Sequence, residues 1–208
     1  MNDRKKKIAI ICEGFEEKPY LDKLFSFPCF KRDKYDIDLI INVKGNGRIF
    51  PRFQDLFNKD KYDLILIFCD ADNNSKQFQS IIDKINNEIF AGHNIAQEIL
   101  IFVNPVTLQV VLSHFDKVDL THVAKNKNHD IVESLTGIKC YNATQEQIKQ
   151  MMDLITYRSY EKMKNNLKEI STDMTCSPST NLLLFLERFE NDDTSWIDDI
   201  VIKMNNAK

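Results

Sequence analysis

Several features are scarce or missing in this chain of 208 residues, and each absence excludes a class of protein. Glycine and proline number only 5 each, so long flexible linkers are not expected. No apolar run reaches about 18 residues, which argues against a membrane-spanning helix. The 5 cysteines are scattered, and none stands in the CxxC spacing of a zinc site. The net charge of −3 is not typical of a protein that binds nucleic acid by charge alone, so such a partner would need a local basic patch or bound metal ions.

The start of the chain has no pattern of a secretory signal. Residues 1–7 are polar and basic, and the short apolar run after them lacks a small-residue cleavage site. Cys12 and Cys69 lie inside apolar segments, where a free thiol packs as a small hydrophobe. We therefore expect a cytoplasmic protein in a reducing environment, without membrane association.

Two short apolar runs end in acidic residues. Residues 8–12 precede Glu13, and residues 64–69 precede Asp70. Neither run alternates with polar residues, which is typical of strands that are covered on both faces in a parallel sheet. Ligands of such sheets bind at the carboxyl ends of the strands. If the two strands are neighbours, four carboxylates meet there, namely Glu13, Glu17, Asp70 and Asp72.

Carboxylates that lie close together repel one another unless they hold protons or cations. Hard divalent cations with oxygen ligands are the usual solution, so the pattern predicts Mg²⁺, with Mn²⁺ as a substitute. Taken alone, each acidic pair also fits an ordinary helix start or strand end. The metal prediction therefore depends on both clusters together.

Strands and helices alternate along the first half of the chain. This order predicts an α/β fold with a mainly parallel four-stranded sheet flanked by helices. The apolar periodicity then becomes helical. We predict an α/β domain over residues 5–115 and a mostly helical C-terminal lobe over residues 116–208 that packs on it.

Weaker candidates lie near the same predicted edge. Lys44 and Arg48 flank glycines in a turn after the second strand, which suits phosphate binding but equally fits a solvated turn. Asn104 and His114, near the end of the fourth strand and of the next helix, are candidates for an indirect role beside a metal site. His114 also fits a structural residue.

The acidic motifs resemble those of a known domain. A strand ending in Glu13-Gly14 and a later strand ending in Asp70-Ala71-Asp72 resemble the Toprim domain of topoisomerases, primases and OLD-type nucleases. Glu17, four residues after the first glutamate, is similar to a second glutamate of the OLD-type nucleases.

A second set of residues is similar to the RloB-like proteins, which are associated with bacterial defence loci. These residues are Asn104-Pro105 and His114-Phe115, at the two ends of an apolar segment. The chain departs from that pattern at residues 107–110, where RloB-like proteins usually have Phe-Glu-Leu-Trp, so the acidic residue of that helix is absent.

The resemblance implies a Toprim-like fold and a Mg²⁺-dependent nuclease of the antiphage defence type. It implies that Glu13, Asp70 and Asp72 are catalytic and that Glu17 joins them as a metal ligand. The implied partners are DNA or RNA, a partner defence protein such as an ATPase, and a second copy of the chain. Two alternatives stay open: a non-catalytic Toprim-like module that binds nucleic acid or a partner, and an aspartate-based phosphotransfer or phosphatase domain.

Overall fold

A five-stranded sheet forms the centre of the protein in a computed structural model that describes residues 4–42 and 46–207. The strand order is β2-β1-β3-β4-β5, and the first four strands are parallel to one another while β5 is antiparallel to β4. The prediction of an α/β fold with a mainly parallel sheet is confirmed, and the number of strands is corrected from four to five. The strands are β1 (Lys6–Cys12), β2 (Tyr35–Ile41), β3 (Leu64–Asp70), β4 (Leu100–Asn104) and β5 (Ser179–Thr180).

Burial follows position in the sheet. All seven residues of β3 are buried because β1 and β4 flank this strand and helices cover both of its faces. The outer strand β2 is more exposed and carries Asp36 and Asp38 on its solvent side. Charged side chains of this kind protect an outer strand from pairing with other chains.

Helices surround the sheet and account for most of the chain after β4. They are α1 (Glu17–Phe25), α2 (Ile49–Asn58), α3 (Lys76–Lys84), α4 (Ala96–Ile99), α5 (Leu108–Leu112), α6 (His129–Thr136), α7 (Gln145–Leu154), α8 (Tyr157–Leu167), α9 (Leu182–Glu190) and α10 (Ser195–Asn206). Within residues 4–42 and 46–207, no helix has both the length and the apolar character that crossing a membrane requires.

Two consecutive helices of the C-terminal half, α7 and α8, begin at capping boxes. The Thr144 hydroxyl accepts from the Gln147 backbone N–H at the start of α7, and Thr156 does the same for Ser159 at the start of α8. The side-chain oxygens of Gln147 and Ser159 in turn accept from the backbone N–H groups of Thr144 and Thr156. Two backbone N–H groups are therefore satisfied at each helix start.

The C-terminal segment returns to the sheet through β5. Residues Ser179 and Thr180 pair with β4, and the Asn181 side chain then continues the pairing. Its Oδ1 accepts from the Phe102 N–H at 2.9 Å, and its Nδ2 donates to the Leu100 carbonyl at 2.7 Å. The segment after residue 115 is therefore anchored in the same sheet as β1 to β4.

The strand order reverses direction at β1. The chain passes from β1 to β2 on one side, and then crosses to β3 and β4 on the other side. At such a switch point the two connections leave the sheet in opposite directions, and a crevice opens at the carboxyl ends of the two strands. Glu13 and Asp70 lie at this crevice, at the ends of β1 and β3.

Candidate functional site

An acidic cleft of about 460 Å³ occupies the crevice at the carboxyl ends of β1 and β3. The pairing of Cys12 with Phe68 sets the two strand ends side by side. The structure thus brings together the four carboxylates that the sequence predicts and adds a fifth, Glu16. The acidic lining consists of Glu13, Glu16, Glu17, Asp70 and Asp72.

Glu13 and Glu17 each accept a hydrogen bond from a backbone N–H. Glu13 Oε2 accepts from the Asp70 N–H at 2.8 Å, across the two neighbouring strands. Glu17 Oε2 accepts from the Gly14 N–H at 2.8 Å, at the start of α1. A Cβ atom on Gly14 would lie 3.2 Å from that same oxygen, so glycine permits the close approach of the Glu17 carboxylate.

Asp70 is a buried carboxyl group of the cleft with a raised pKa. It is buried, and its Oδ1 accepts from the Thr107 N–H at 2.6 Å and from the Thr107 hydroxyl at 2.7 Å. Burial, and then the negative charges of Glu17 and Glu13, raise the pKa of Asp70 well above its ordinary value. A cation beside these carboxylates would have the opposite effect on this pKa.

Asp72 begins a short left-handed loop after β3. Asp72, Asn73 and Asn74 have φ angles of 48°, 54° and 61°. This region is unfavourable for residues other than glycine, although Asp and Asn tolerate it best. The Asp72 N–H donates to the Pro105 carbonyl at 3.0 Å, and the Asn73 N–H donates to Asn104 Oδ1 at 2.9 Å. These contacts hold the strained loop, and with it the Asp72 backbone, against the end of β4.

Asn104 therefore acts on the cleft through the loop that carries Asp72. It is 1% exposed, and its Nδ2 donates to the Cys176 carbonyl at 2.6 Å. One side chain thus joins the loop after β3 to the segment that leads into β5. The indirect role of Asn104 beside a metal site stays a prediction.

The C-terminal half supplies the opposite wall of the cleft. Val123, Asn142 and Ile148 line it together with Val106. Beneath this wall the buried Tyr141 hydroxyl donates a short hydrogen bond to the buried carboxylate of Glu16. Burial and the nearby Glu16 charge raise the pKa of Tyr141, so this hydroxyl keeps its proton and remains a donor.

His114 lies in the core, and is not among the described residues that line the cleft. Its Nε2 is 3.1 Å from the Tyr20 hydroxyl, and its Nδ1 is 3.3 Å from the Ser159 hydroxyl. Burial lowers the pKa of His114 to about 3, so the imidazole is neutral at physiological pH. These contacts join α1 to α8 and correspond to the structural role that the sequence also allowed.

Arg48 is exposed in a short 3₁₀ turn, Asn46–Arg48, just before α2. It follows β2 at the carboxyl edge of the sheet, but it is not among the described residues of the cleft lining. Lys44 lies outside the described residues. The phosphate-binding role of these two residues stays a prediction.

The carboxylates match Mg²⁺ in donor type but not in their present arrangement. Oxygen ligands are those that Mg²⁺ prefers. In the part of the chain that the structure describes, however, no three His, Cys, Asp or Glu side chains form a group that could hold a metal ion. Glu13, Glu17 and Asp70 each direct an oxygen to an N–H group instead. Metal binding here would require some of these side chains to rotate into the cleft.

Comparisons with protein-family models, with curated proteins and with solved structures give no match. The fold and the cleft define an α/β protein with a mostly parallel sheet and an acidic crevice at its switch point. The Toprim-like resemblance stays a prediction that the motif residues carry.

Proposed function

We propose that this protein is a Mg²⁺-dependent nuclease-like phosphodiesterase, with Mn²⁺ as a substitute, that acts in the acidic cleft. The observation that carries the proposal is the convergence of five carboxylates on one crevice between parallel strands. Three of them, Glu16, Glu17 and Asp70, are buried. Buried charges of one sign are unfavourable unless protons or cations offset them, and a divalent cation offsets them at neutral pH.

In this proposal Glu13, Glu17, Asp70 and Asp72 hold the metal. A bound divalent cation supplies positive charge for the phosphate oxygens and makes a bound water more acidic. Thr107 holds one Asp70 oxygen through two hydrogen bonds, and the Gly14 N–H holds one Glu17 oxygen. Any rotation of these two carboxylates toward the metal would exchange these hydrogen bonds for bonds to the cation. Antiphage defence, a partner ATPase and a homodimer belong to the proposal through the Toprim-like resemblance.

Phe15 supports nucleic acid as the substrate class. It lines the acidic cleft and is 52% exposed, and Val123, on the same lining, is 41% exposed. An exposed ring beside a site of phosphate chemistry is placed to stack on a nucleobase, because every base has a flat π face. DNA and RNA both offer this contact.

Metal binding predicts a rise in thermal stability. Mg²⁺ or Mn²⁺ at about 100 times its dissociation constant is expected to raise the melting temperature by about 5 °C or more, because it binds the native state. Melting curves with metal and with a chelator measure the shift. Glu13→Gln should reduce the rise, whereas the exposed Asp83→Asn on α3 should keep it. Equal melting temperatures with and without millimolar metal would count against the site.

Phosphate contacts by the turn after β2 predict a change in salt dependence. Replacing both Lys44 and Arg48 by alanine should weaken nucleic-acid binding and make the logarithmic salt slope shallower by about 1 to 2, since fewer counterions are released. Binding isotherms at several salt concentrations measure this slope. The control changes Arg158 and Lys168, which are exposed on and just after α8. If only the control loses affinity, α8 rather than the turn contacts the phosphates.

The contact between Thr107 and Asp70 favours a second candidate, an aspartate-based phosphotransfer or phosphatase domain. There the aspartate after a central strand is the nucleophile, and a hydroxyl residue after the next strand lies beside it, as Thr107 does at 2.7 Å. Burial raises the pKa of Asp70, so more of this carboxyl group holds a proton, and the protonated form cannot act as the nucleophile. Trapping of an acyl phosphate on Asp70 would select this candidate over the nuclease.

A further inference from the structure

A second pocket, of about 310 Å³, lies at the opposite edge of the sheet from the acidic cleft. Lys5 precedes β1, and Tyr35 and Asp36 begin β2, so the pocket is at the amino ends of these strands. Glu13 follows the other end of β1. A strand of this length separates the two sites by about 20 Å. The pocket is therefore independent of the acidic cleft and of the reaction proposed there.

Aromatic rings form the floor of this pocket. Phe25 packs edge to face on Phe30 and on Phe189, with centroids 5.1 and 5.3 Å apart, and Tyr35 packs on Phe189 at 5.2 Å. The rings of Phe30, Tyr35 and Phe189 are buried. Phe25 is half-buried and remains open to the pocket. The floor thus offers an apolar aromatic surface to a planar ligand.

The floor is also fixed in place by hydrogen bonds beneath it. The Tyr35 hydroxyl donates to the Arg188 carbonyl and accepts from Trp196 Nε1, each at 3.1 Å. The Trp196 ring packs on Phe189, with centroids 5.4 Å apart. A preformed floor of this kind lowers the conformational entropy that the protein side chains lose when a ligand binds.

Cationic side chains form the rim. Lys5 and Arg32 are exposed, and Lys31 is half-buried with its Nζ 3.4 Å from the Asp192 carboxylate. Arg32 Nε donates to the Phe25 carbonyl at 3.0 Å, which holds the guanidinium next to the open ring. Asp192 offsets Lys31 and Asp36 also lines the pocket, so Lys5 and Arg32 are the cations that the rim offers to an anion.

We propose that this pocket binds a nucleoside 5′-phosphate. The base lies against Phe25, and Arg32 and Lys5 bind the phosphate, since guanidinium and ammonium groups form strong charge-assisted hydrogen bonds with it. Asp36, an exposed carboxylate of the lining, accepts a hydrogen bond from a ribose hydroxyl or a base amino group. The volume is at the lower end of the range for small-molecule pockets, which suits one nucleotide.

The aromatic floor, the cationic rim and the carboxylate of the lining together indicate a ligand that carries a flat ring, an anion and hydrogen-bond donors. An acidic peptide and an aromatic acid both lack the ribose hydroxyls that Asp36 can accept from. The nucleotide has two sources, a free nucleoside monophosphate or the 5′-phosphorylated end of a strand. Both carry the same chemistry into the pocket.

Trp196 provides a built-in reporter, because it is the only tryptophan of the chain and contacts two residues of the floor. The full chain is titrated with AMP, GMP, CMP and UMP in the presence of a chelator, by Trp196 fluorescence and by calorimetry. At least one nucleotide should give saturable binding below millimolar concentration. The matching nucleoside and inorganic phosphate should each bind at least about tenfold more weakly, because each lacks half of the contacts.

Variants of two exposed rim residues and of the half-buried Phe25 on the floor test the assignment. Arg32→Ala and Lys5→Ala should each weaken nucleotide binding about tenfold. Phe25→Leu removes the ring and should weaken it several-fold. Lys149→Ala, the same change of charge on the exposed side of α7, should bind as the unsubstituted chain does. Circular dichroism checks that each variant is folded.

A trinucleotide with and without a 5′-phosphate separates the two sources. Tighter binding of the phosphorylated trinucleotide than of the monophosphate indicates a strand end, and the reverse indicates a free nucleotide. Absence of saturable binding for all four nucleotides would overturn the proposal. Unchanged affinity in the Arg32, Lys5 and Phe25 variants would overturn it equally, as would an equal loss in Lys149→Ala.

Discussion

Glu13→Gln and Asp70→Asn are each expected to lower metal-dependent cleavage of nucleic acid by about a hundredfold or more. Losing a residue that only orients a metal ligand already costs about 10- to 100-fold, and these substitutions remove the charged ligands themselves. Both keep the size and shape of the side chain, so the fold is retained. Asp72→Asn should be nearly as damaging. Cleavage of single- and double-stranded DNA and RNA with Mg²⁺ or Mn²⁺ measures the loss.

The matched control for this experiment is Asp83→Asn, which makes the same chemical change at an exposed position of α3. It should cleave as the unsubstituted chain does. Full activity in Glu13→Gln would refute the metal-nuclease proposal. Metal and nucleic-acid binding without cleavage in the unsubstituted chain would instead favour the non-catalytic module.

Asp70→Asn is also expected to stabilise the metal-free protein. Burial, together with Glu17 and Glu13, raises the native pKa of Asp70 above its unfolded value. As pH rises from about 4 through this raised pKa, the unfolded chain has already released the proton that the native state still holds, so stability falls. Asparagine never ionises, and it keeps an Oδ1 atom that can accept from Thr107. At pH 8 we expect a rise in melting temperature of at least about 2 °C.

Melting curves of both chains between pH 4.5 and 8, with a chelator present, measure this effect. The difference in melting temperature should widen as pH rises, because only the unsubstituted chain loses stability through this group. Asp83→Asn should show no such pH-dependent difference. A variant that melts below the unsubstituted chain at pH 8 would mean that the Asp70 carboxylate is stabilised by its surroundings and that its native pKa is not raised.

The centre of the fold could be predicted because its pattern is local. Residues 8–12 and 64–69 are uninterrupted apolar runs, and such runs form strands that are buried on both faces. Parallel strands carry their carboxyl ends to one edge, so Glu13 and Asp70 are expected at the same edge. Their meeting also depends on β1 and β3 being neighbours, which the pattern leaves as a condition and the pairing of the two strands supplies. The strand β5 has no such signal, since its two residues pair with β4 only through tertiary packing.

The finer structure of the cleft depends on contacts between distant segments. The bond from Tyr141 to Glu16 joins residues 125 positions apart, and helical periodicity does not indicate which helix meets the cleft. Thr107 has a weak signal, because it is a polar residue just after the strand that neighbours β3. Sequence reasoning predicts which carboxylates meet, but the direction of each carboxylate oxygen is set by the N–H groups around it.

The pairing of β5 with β4 has a consequence for how the chain is made. β4 is wholly buried, yet the strand that covers its outer edge lies far downstream, near the end of the chain. At translation rates of about 5–20 residues per second, β4 emerges seconds before its partner. During that interval the nascent chain presents an unpaired apolar edge, the kind of surface that chaperones cover and that joins one chain to another. Ser179 and Thr180, with Asn181, end this interval when they emerge and pair with β4.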